Sequence, residues 1–252
     1  GIDVDEDGAD TDMLEDVLVN KHPKLFYSIP NHQNPSGISY SDSPRREVAD
    51  LIRDSGCLLL EDDAYGELGY NGRVGITMKS LAPDDTVLTG SFSKTISPGM
   101  RIGWMVVPDW MRKDTNKAIE SSCLHPNTFC ERIVDRFLQE NDYDRFLAGL
   151  RSSYAAKQRF FLDCMSENLP DTVTWNNPRG GMFIWLKTPE GTDSMKLFDR
   201  CVEEKLVTMP GGPFHVSGGK NTIRLNFATP SEEQIVIGTK VLGKVCRELY
   251  GC

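Results

Sequence analysis

No CxxC pair, no HxxxH or HExxH spacing and no apolar run long enough to span a bilayer occur in these 252 residues. Seven cysteines, at positions 57, 123, 130, 164, 201, 246 and 252, are odd in number and scattered, which argues against a disulfide framework. Buried free thiols in a reducing compartment are the economical reading, since several, such as Cys57 ahead of Leu58-Leu59-Leu60, fall in apolar stretches. The four histidines, at 22, 32, 125 and 215, lack the spacing of a metal site, and none is expected. Positive charge is also short: 28 Lys and Arg against 37 Asp and Glu leave a net −9. That balance disfavours nucleic acid and anionic membranes as partners. A cytoplasmic protein acting on small molecules is the default expectation. The opening Gly1-Ile2-Asp3-Val4-Asp5-Glu6-Asp7-Gly8 has no initiator Met, basic n-region or apolar h-region, and reads as the interior of a longer, N-terminally truncated protein.

Internal repeats and low-complexity tracts are absent as well, and the length fits a larger unit followed by a smaller one. Thr11 is placed to cap a short helix over 12–19, with a strand following at 24–28. That strand delivers the chain into Pro30-Asn31-His32-Gln33-Asn34-Pro35-Ser36-Gly37, dense in turn formers. Ser43 with Pro44 starts a second helix that carries Val48, Leu51 and Ile52 on one face and ends at Gly56. Residues 57–60 form a continuous apolar run expected as a strand buried on both faces, and 86–89 and 102–107 are two more. Alternation of strand and helix predicts a mostly parallel sheet, with Asn34, Asp62 and Lys94 just beyond strand ends, where open α/β sheets place ligands. After Pro108 the pattern turns helical, with one long helix over 143–169 able to connect two lobes. A small α+β lobe follows, with strands near 182–186 and 222–227 and helices near 194–204 and 231–249. The glycine-rich stretches 210–214 and 217–219 read as a loop able to move on ligand binding. The expected domains are 1–145 and 146–252.

Four segments stand out. In Ser91-Phe92-Ser93-Lys94-Thr95-Ile96-Ser97-Pro98-Gly99-Met100-Arg101, an amine among small polar residues precedes an arginine by seven positions. A lysine that condenses with an aldehyde phosphate needs room, partial desolvation and a nearby cation for the phosphate, and this run has the residues for all three. The others are Asn34-Pro35-Ser36-Gly37, Glu61-Asp62-Asp63-Ala64-Tyr65 and Asn221-Thr222-Ile223-Arg224-Leu225-Asn226-Phe227. Singly, each also suits an ordinary turn, an acidic loop or a salt-bridged strand arginine. Together they supply different needs of one cofactor.

With these motifs in this order, the chain resembles the class I/II aminotransferases of pyridoxal-phosphate fold type I, in the aminoadipate/kynurenine aminotransferase branch. The resemblance runs from about residue 3 to the C-terminus. It implies an α/β large cofactor domain with a mostly parallel sheet, incomplete here, and a smaller α+β C-terminal domain. It implies pyridoxal 5'-phosphate as cofactor, amino acids and 2-oxo acids as substrates, and a homodimer. Lys94 would hold the cofactor as a Schiff base and later move a proton. Asp62, three before Tyr65, would pair with the protonated pyridine nitrogen. Tyr65 and Asn34 would hydrogen-bond the ring's phenolic oxygen, and Asn34 would also face substrate. Ser91, Ser93 and Arg101 would hold the phosphate, and Arg224 would grip the substrate α-carboxylate as a bidentate fork. Gly180-Gly181, ahead of Met182-Phe183, suits either a close approach of backbone to the substrate or a tight entry into the strand.

In the family, a glycine-rich helix start under the phosphate and an aromatic stacked on the pyridine ring lie upstream of the matching region; neither can be assigned here. Three readings stand: a transaminase; the effector-sensing, aminotransferase-like half of a MocR-type regulator, using the same cofactor residues; and a noncatalytic remnant that folds by pairing with another chain.

Overall fold

The computed structural model describes residues 1–72 and 75–251. The chain divides into two compact units, one comprising Ile2–Gln33 and Ile38–Leu150, the other Gly1, Asn34–Gly37 and Arg151–Cys252.

In the unit containing Lys94, α1 (Thr11–Lys21), β1 (Leu25–Ser28), α2 (Asp42–Ser55), β2 (Leu58–Asp62), α3 (Met78–Leu81), β3 (Thr86–Ser91), β4 (Gly103–Val106), α4 (Arg112–Cys123) and α5 (Thr128–Glu140) follow one another. The sheet order is β1-β2-β3-β4. The first three strands are parallel, joined through helices as the alternation predicts. By contrast, β4 runs antiparallel to β3, with Ser91 opposite Gly103. The link between them is too short for the crossover that a parallel return needs. All of β4 is exposed, so the apolar run expected as a buried strand is here an open edge. Trp104 lays its ring over Gly90, where a Cβ would come within 2.1 Å of it.

Burial on β2 alternates, contrary to the expectation of a strand covered on both faces. Leu59 and Glu61 are buried, and with Cys57 they face a core of Leu14, Leu18, Val48, Ile52 and Met78. Leu58, Leu60 and Asp62 lie on the other, half-covered face. Burying Val48 and Ile52 of α2 stabilises the fold by roughly 1.5–3 kcal/mol each. Asp10, not Thr11, caps α1, accepting from the Met13 N–H, while the Thr11 hydroxyl donates to Glu47. Helix α2 begins one residue ahead of Ser43, with Ser41 at its N-cap.

The second unit follows α6 (Tyr143–Asn168), the long helix foreseen in the sequence, within which the boundary between units falls. Next come β5 (Thr174–Trp175), β6 (Phe183–Lys187), α7 (Ser194–Glu203), β7 (Met209–Pro210), β8 (Thr222–Asn226) and α8 (Glu232–Tyr250). Its sheet, ordered β5-β6-β8-β7, is antiparallel. Ser231 and Gln234 form a capping box at the start of α8. Among the described cysteines, 57, 164, 201 and 246 are buried as expected, but Cys123 is exposed; Cys252 lies outside the described residues.

His32 is fully buried, in a left-handed conformation (φ 47°), with both its N–H and its Nδ1 on the Ser39 hydroxyl and no partner for Nε2 among the described residues. Burial, with the Arg45 cation as a lesser cause, pushes its pKa down to about 4 from 6.5. Between those values the unfolded chain binds a proton that the folded chain refuses. The stabilisation is present above pH 6.5, is lost as pH falls through 4, and amounts to about 3 kcal/mol. His32→Asn, which tolerates the left-handed backbone, should flatten this segment of the pH profile in urea denaturation.

Candidate active site

Three consecutive acids leave β2, and strand parity separates them. Glu61 points into the core and caps α3, accepting from the Met78 and Lys79 N–H groups at 3.1 and 2.8 Å. Burial raises its pKa, and these two donors offset part of the shift. Asp63, just past the strand, is buried and accepts from the Asn31 amide at 2.6 Å. The Asn31 oxygen in turn accepts from Arg45, which is buried and also donates to the carbonyls of Pro30, Tyr40 and Ile76. Only Asp62, on the half-covered face, points away from this framework. Its Oδ2 accepts from the Tyr27 hydroxyl at 2.7 Å and its Oδ1 from the Ala64 N–H at 3.3 Å. Tyr27 titrates well above the usual phenol range, through burial first and then its bond to Asp62.

On β3, Thr89 is level with Asp62, and Ser91 is two residues further along the same face. Beyond it the chain turns tightly: the Ile96 and Ser97 N–H groups both donate to the Phe92 carbonyl, and the Phe92 N–H donates to that of Ile102. This turn carries Lys94, whose Nζ stands 5.9 Å from the centroid of the buried Tyr65 ring. The Ser91 hydroxyl accepts from the Ser93 N–H at 3.1 Å, and Arg101 Nη1 lies 3.5 Å from the Ser93 hydroxyl and 3.2 Å from the Pro98 carbonyl. Arg101 adopts φ 56°, a left-handed conformation costing a non-glycine residue about 1 kcal/mol or more, of the kind that clusters at functional sites. Asp62, Tyr65, Ser91, Ser93, Lys94 and Arg101 thus share the carboxyl end of the parallel strands, where α/β sheets bind ligands.

In the other unit, Arg224 projects from β8 on the face opposite Ile223 and Leu225, both buried. Its guanidinium lies 4.4 Å from the Phe183 ring centroid and 5.0 Å from that of Phe214, and its Nη1 donates to Asn34 Oδ1 at 2.7 Å. Because a guanidinium only donates, this bond fixes the Asn34 amide oxygen on Arg224. Asn176 holds the same segment, donating to the Ser36 carbonyl at 2.6 Å while accepting from the Trp185 N–H. Gly37, at φ 71°, fits against the Phe183 carbonyl and Pro178, which a Cβ would meet at 3.0 and 3.2 Å. The loop foreseen around residues 210–219 packs Phe214 and His215 on Trp185, with His215 3.3 Å from the Thr222 hydroxyl. A cavity of about 660 Å³ in this unit is mainly apolar, lined by Leu206, Thr208, Leu225, Ile235 and Leu242, and of the predicted residues only Arg224 reaches its wall.

Tyr27, Arg45, Asn176, Phe183 and Phe214 escaped the reading of the sequence. Only the aromatic run that ends in Tyr27-Ser28, entering the turn-rich segment, offered a signal.

The residues 4–242 match the model of the family described as aminotransferase class I and II. The chain belongs to this family. It is 33% identical over 97% of its length to a 2-aminoadipate transaminase of Thermus thermophilus, covering 62% of that protein. It is likewise 33% identical over 98% of its length to aromatic-amino-acid aminotransferase 1 of Thermococcus litoralis, covering 61% of it. Among solved structures, the alpha-aminoadipate aminotransferase LysN of Thermus thermophilus, complexed with N-(5'-phosphopyridoxyl)-L-leucine, superposes with a TM-score of 0.94. Identity there is 32%, covering 99% of this chain and 65% of that one. The chain spans about three-fifths of the length of these relatives. Its fold is that of the pyridoxal-phosphate fold type I enzymes.

Arg45 joins the turn after β1 to the acids of β2, so its loss has a calculable cost. Arg45→Met should lower stability by roughly 3–5 kcal/mol, because buried carbonyls and the Asn31 oxygen lose their donor and the buried Glu61 and Asp63 lose a nearby counter-charge. Urea denaturation measures it.

Proposed function

We propose that this chain carries the machinery of a pyridoxal-phosphate-dependent aminotransferase, moving an amino group between an amino acid and a 2-oxo acid. The observation that carries the reading is the sorting of the acids at the end of β2: Glu61 and Asp63 are committed to structure, and Asp62 emerges beside the Lys94 turn and its serines. The donor set fits the cofactor. A primary amine suits an aldehyde, a carboxylate suits a protonated ring nitrogen, and two hydroxyls with a guanidinium suit a phosphate dianion. When bound, pyridoxal phosphate supplies an electron sink for the pair left behind when a proton leaves the substrate Cα.

The chain's own residues do the rest. Lys94 would hold the cofactor by its aldehyde, and its amine, when free, would be the base that takes the proton from the substrate Cα. Asp62 keeps the ring nitrogen protonated. Ser91, Ser93 and Arg101 fix the phosphate, Arg101 by charge-assisted bonds. Tyr65 would donate to the phenolic oxygen, and the NH₂ of Asn34, whose amide oxygen is held by Arg224, would be a second donor for it. Arg224, stiffened between two aromatic faces, receives the α-carboxylate as a fork and orients the Cα–H bond. In this reading residues 1–145 belong to the cofactor domain, and 146–252 form a connecting helix and a small domain. A homodimer in the cytoplasm goes with it. 2-Aminoadipate is the substrate to try first, given the Thermus relative, with glutamate beside it.

Absorbance spectra of the chain with added pyridoxal phosphate, then with each amino acid, test the proposal. A lysine-bound cofactor band that converts on adding substrate supports it. A band that no amino acid shifts favours a regulator's sensing domain, and no band overturns the assignment of Lys94. Lys94→Ala should abolish covalent attachment and lower turnover by about 10³-fold. Arg224→Ala should raise KM for the amino acid by roughly 10²-fold while cofactor binding is kept.

A further inference from the structure

We propose that Tyr27 is a positioning residue for Asp62, holding one oxygen of the carboxylate so that the other is presented to the cofactor's ring nitrogen. The inference rests on the role given to Asp62 above.

The geometry follows from strand register. Tyr27 is the partner of Leu60 in the parallel β1–β2 pair, so Asp62 lies on the same face, two residues further along. A tyrosine is long enough to span that diagonal, and its hydroxyl meets Asp62 Oδ2 at 2.7 Å. This is the length of a charge-assisted O–H···O⁻ bond. Shorter side chains at 27 fall short of the carboxylate. About half of the Tyr27 surface is exposed (52%), so the residue is not held there by core packing, and the bond to Asp62 gives its polar end a purpose.

A carboxylate on a single bond to the chain rotates about χ2 and presents either oxygen. With Oδ2 on the phenol and Oδ1 near the Ala64 N–H, rotation is restrained on both sides. The phenol must keep its proton to donate, and the upward displacement of its ionisation, due to burial and then to Asp62, keeps it protonated through the neutral range. Tyr27 therefore acts on the cofactor only through Asp62.

The test uses two variants and two kinds of readout. Without cofactor, ultraviolet difference titration of the wild type against Asp62→Asn should show one tyrosine step moving down towards ordinary phenol values in the variant. An unmoved step overturns the inference, and this measurement stands even where Tyr27→Phe folds poorly by circular dichroism. With cofactor, Tyr27→Phe should weaken pyridoxal phosphate binding by about ten-fold, the usual scale for removing a residue that orients a ligand-holding side chain. It should also raise the pH midpoint of the bound cofactor's absorbance change, and lower kcat while KM for the amino acid is kept. Should Asp62→Asn alter binding and midpoint while Tyr27→Phe leaves both at wild-type values, the positioning role is wrong and the Asp62 assignment survives. Should Asp62→Asn leave both unchanged, the Asp62 assignment fails and the inference falls with it.

Discussion

The two-residue period of a β-strand decides which acid of Glu61-Asp62-Asp63 is available for chemistry. In β2, odd-numbered side chains enter the core and even-numbered ones face the half-covered side, so neighbouring carboxylates meet opposite environments. Glu61 tolerates burial because two helix N–H groups meet it, and Asp63 because the Asn31 amide donates to it with the Arg45 cation nearby. A register slip of one residue would exchange these roles, burying Asp62 without partners and stranding Glu61. The placement of Asp62, and with it the reading of the whole site, depends on that register.

Much of this was legible in the sequence, for identifiable reasons. Helix α6 and the parallel β1–β3 arrangement follow from periodicity and strand–helix alternation, which local sequence encodes. Arg224 lies on the face opposite Ile223 and Leu225, as the two-residue strand period requires. What failed was whatever depends on neighbours. Residues 103–106 form a strand, as their β-branched and aromatic content suggests, but direction is set by the connection and burial by what packs alongside. Thr11 is also a capping residue by type, and the extended backbone at Asp10, with its side chain on the Met13 N–H, places the cap one residue earlier.

The supporting residues of the candidate site were illegible for a different reason. Tyr27 and Asp62 are 35 positions apart, and Arg224 and Asn34 are 190 apart. Nothing in local patterning links such pairs; register and topology do. The motifs displayed the groups suited to touch a cofactor, while the groups that orient them became visible only with the strands laid side by side. The aromatic flanking of Arg224 by Phe183 and Phe214 belongs to the same category.

The segment Asn34–Gly37 is grouped by its contacts with Arg151–Cys252, although the chain on both sides of it belongs to the other unit. The smaller unit is therefore discontinuous in sequence, and the backbone enters it, leaves it and returns. A cut between residues 150 and 151 would not release it whole: Asn176 would lose the Ser36 carbonyl, and Arg224 its amide acceptor. Closing so long a loop carries an entropic cost that grows only logarithmically with length, so the thread is thermodynamically tolerable. Its consequence is modular: evolution can exchange or engineers can graft residues 151–252 only together with a tetrapeptide encoded more than a hundred codons earlier.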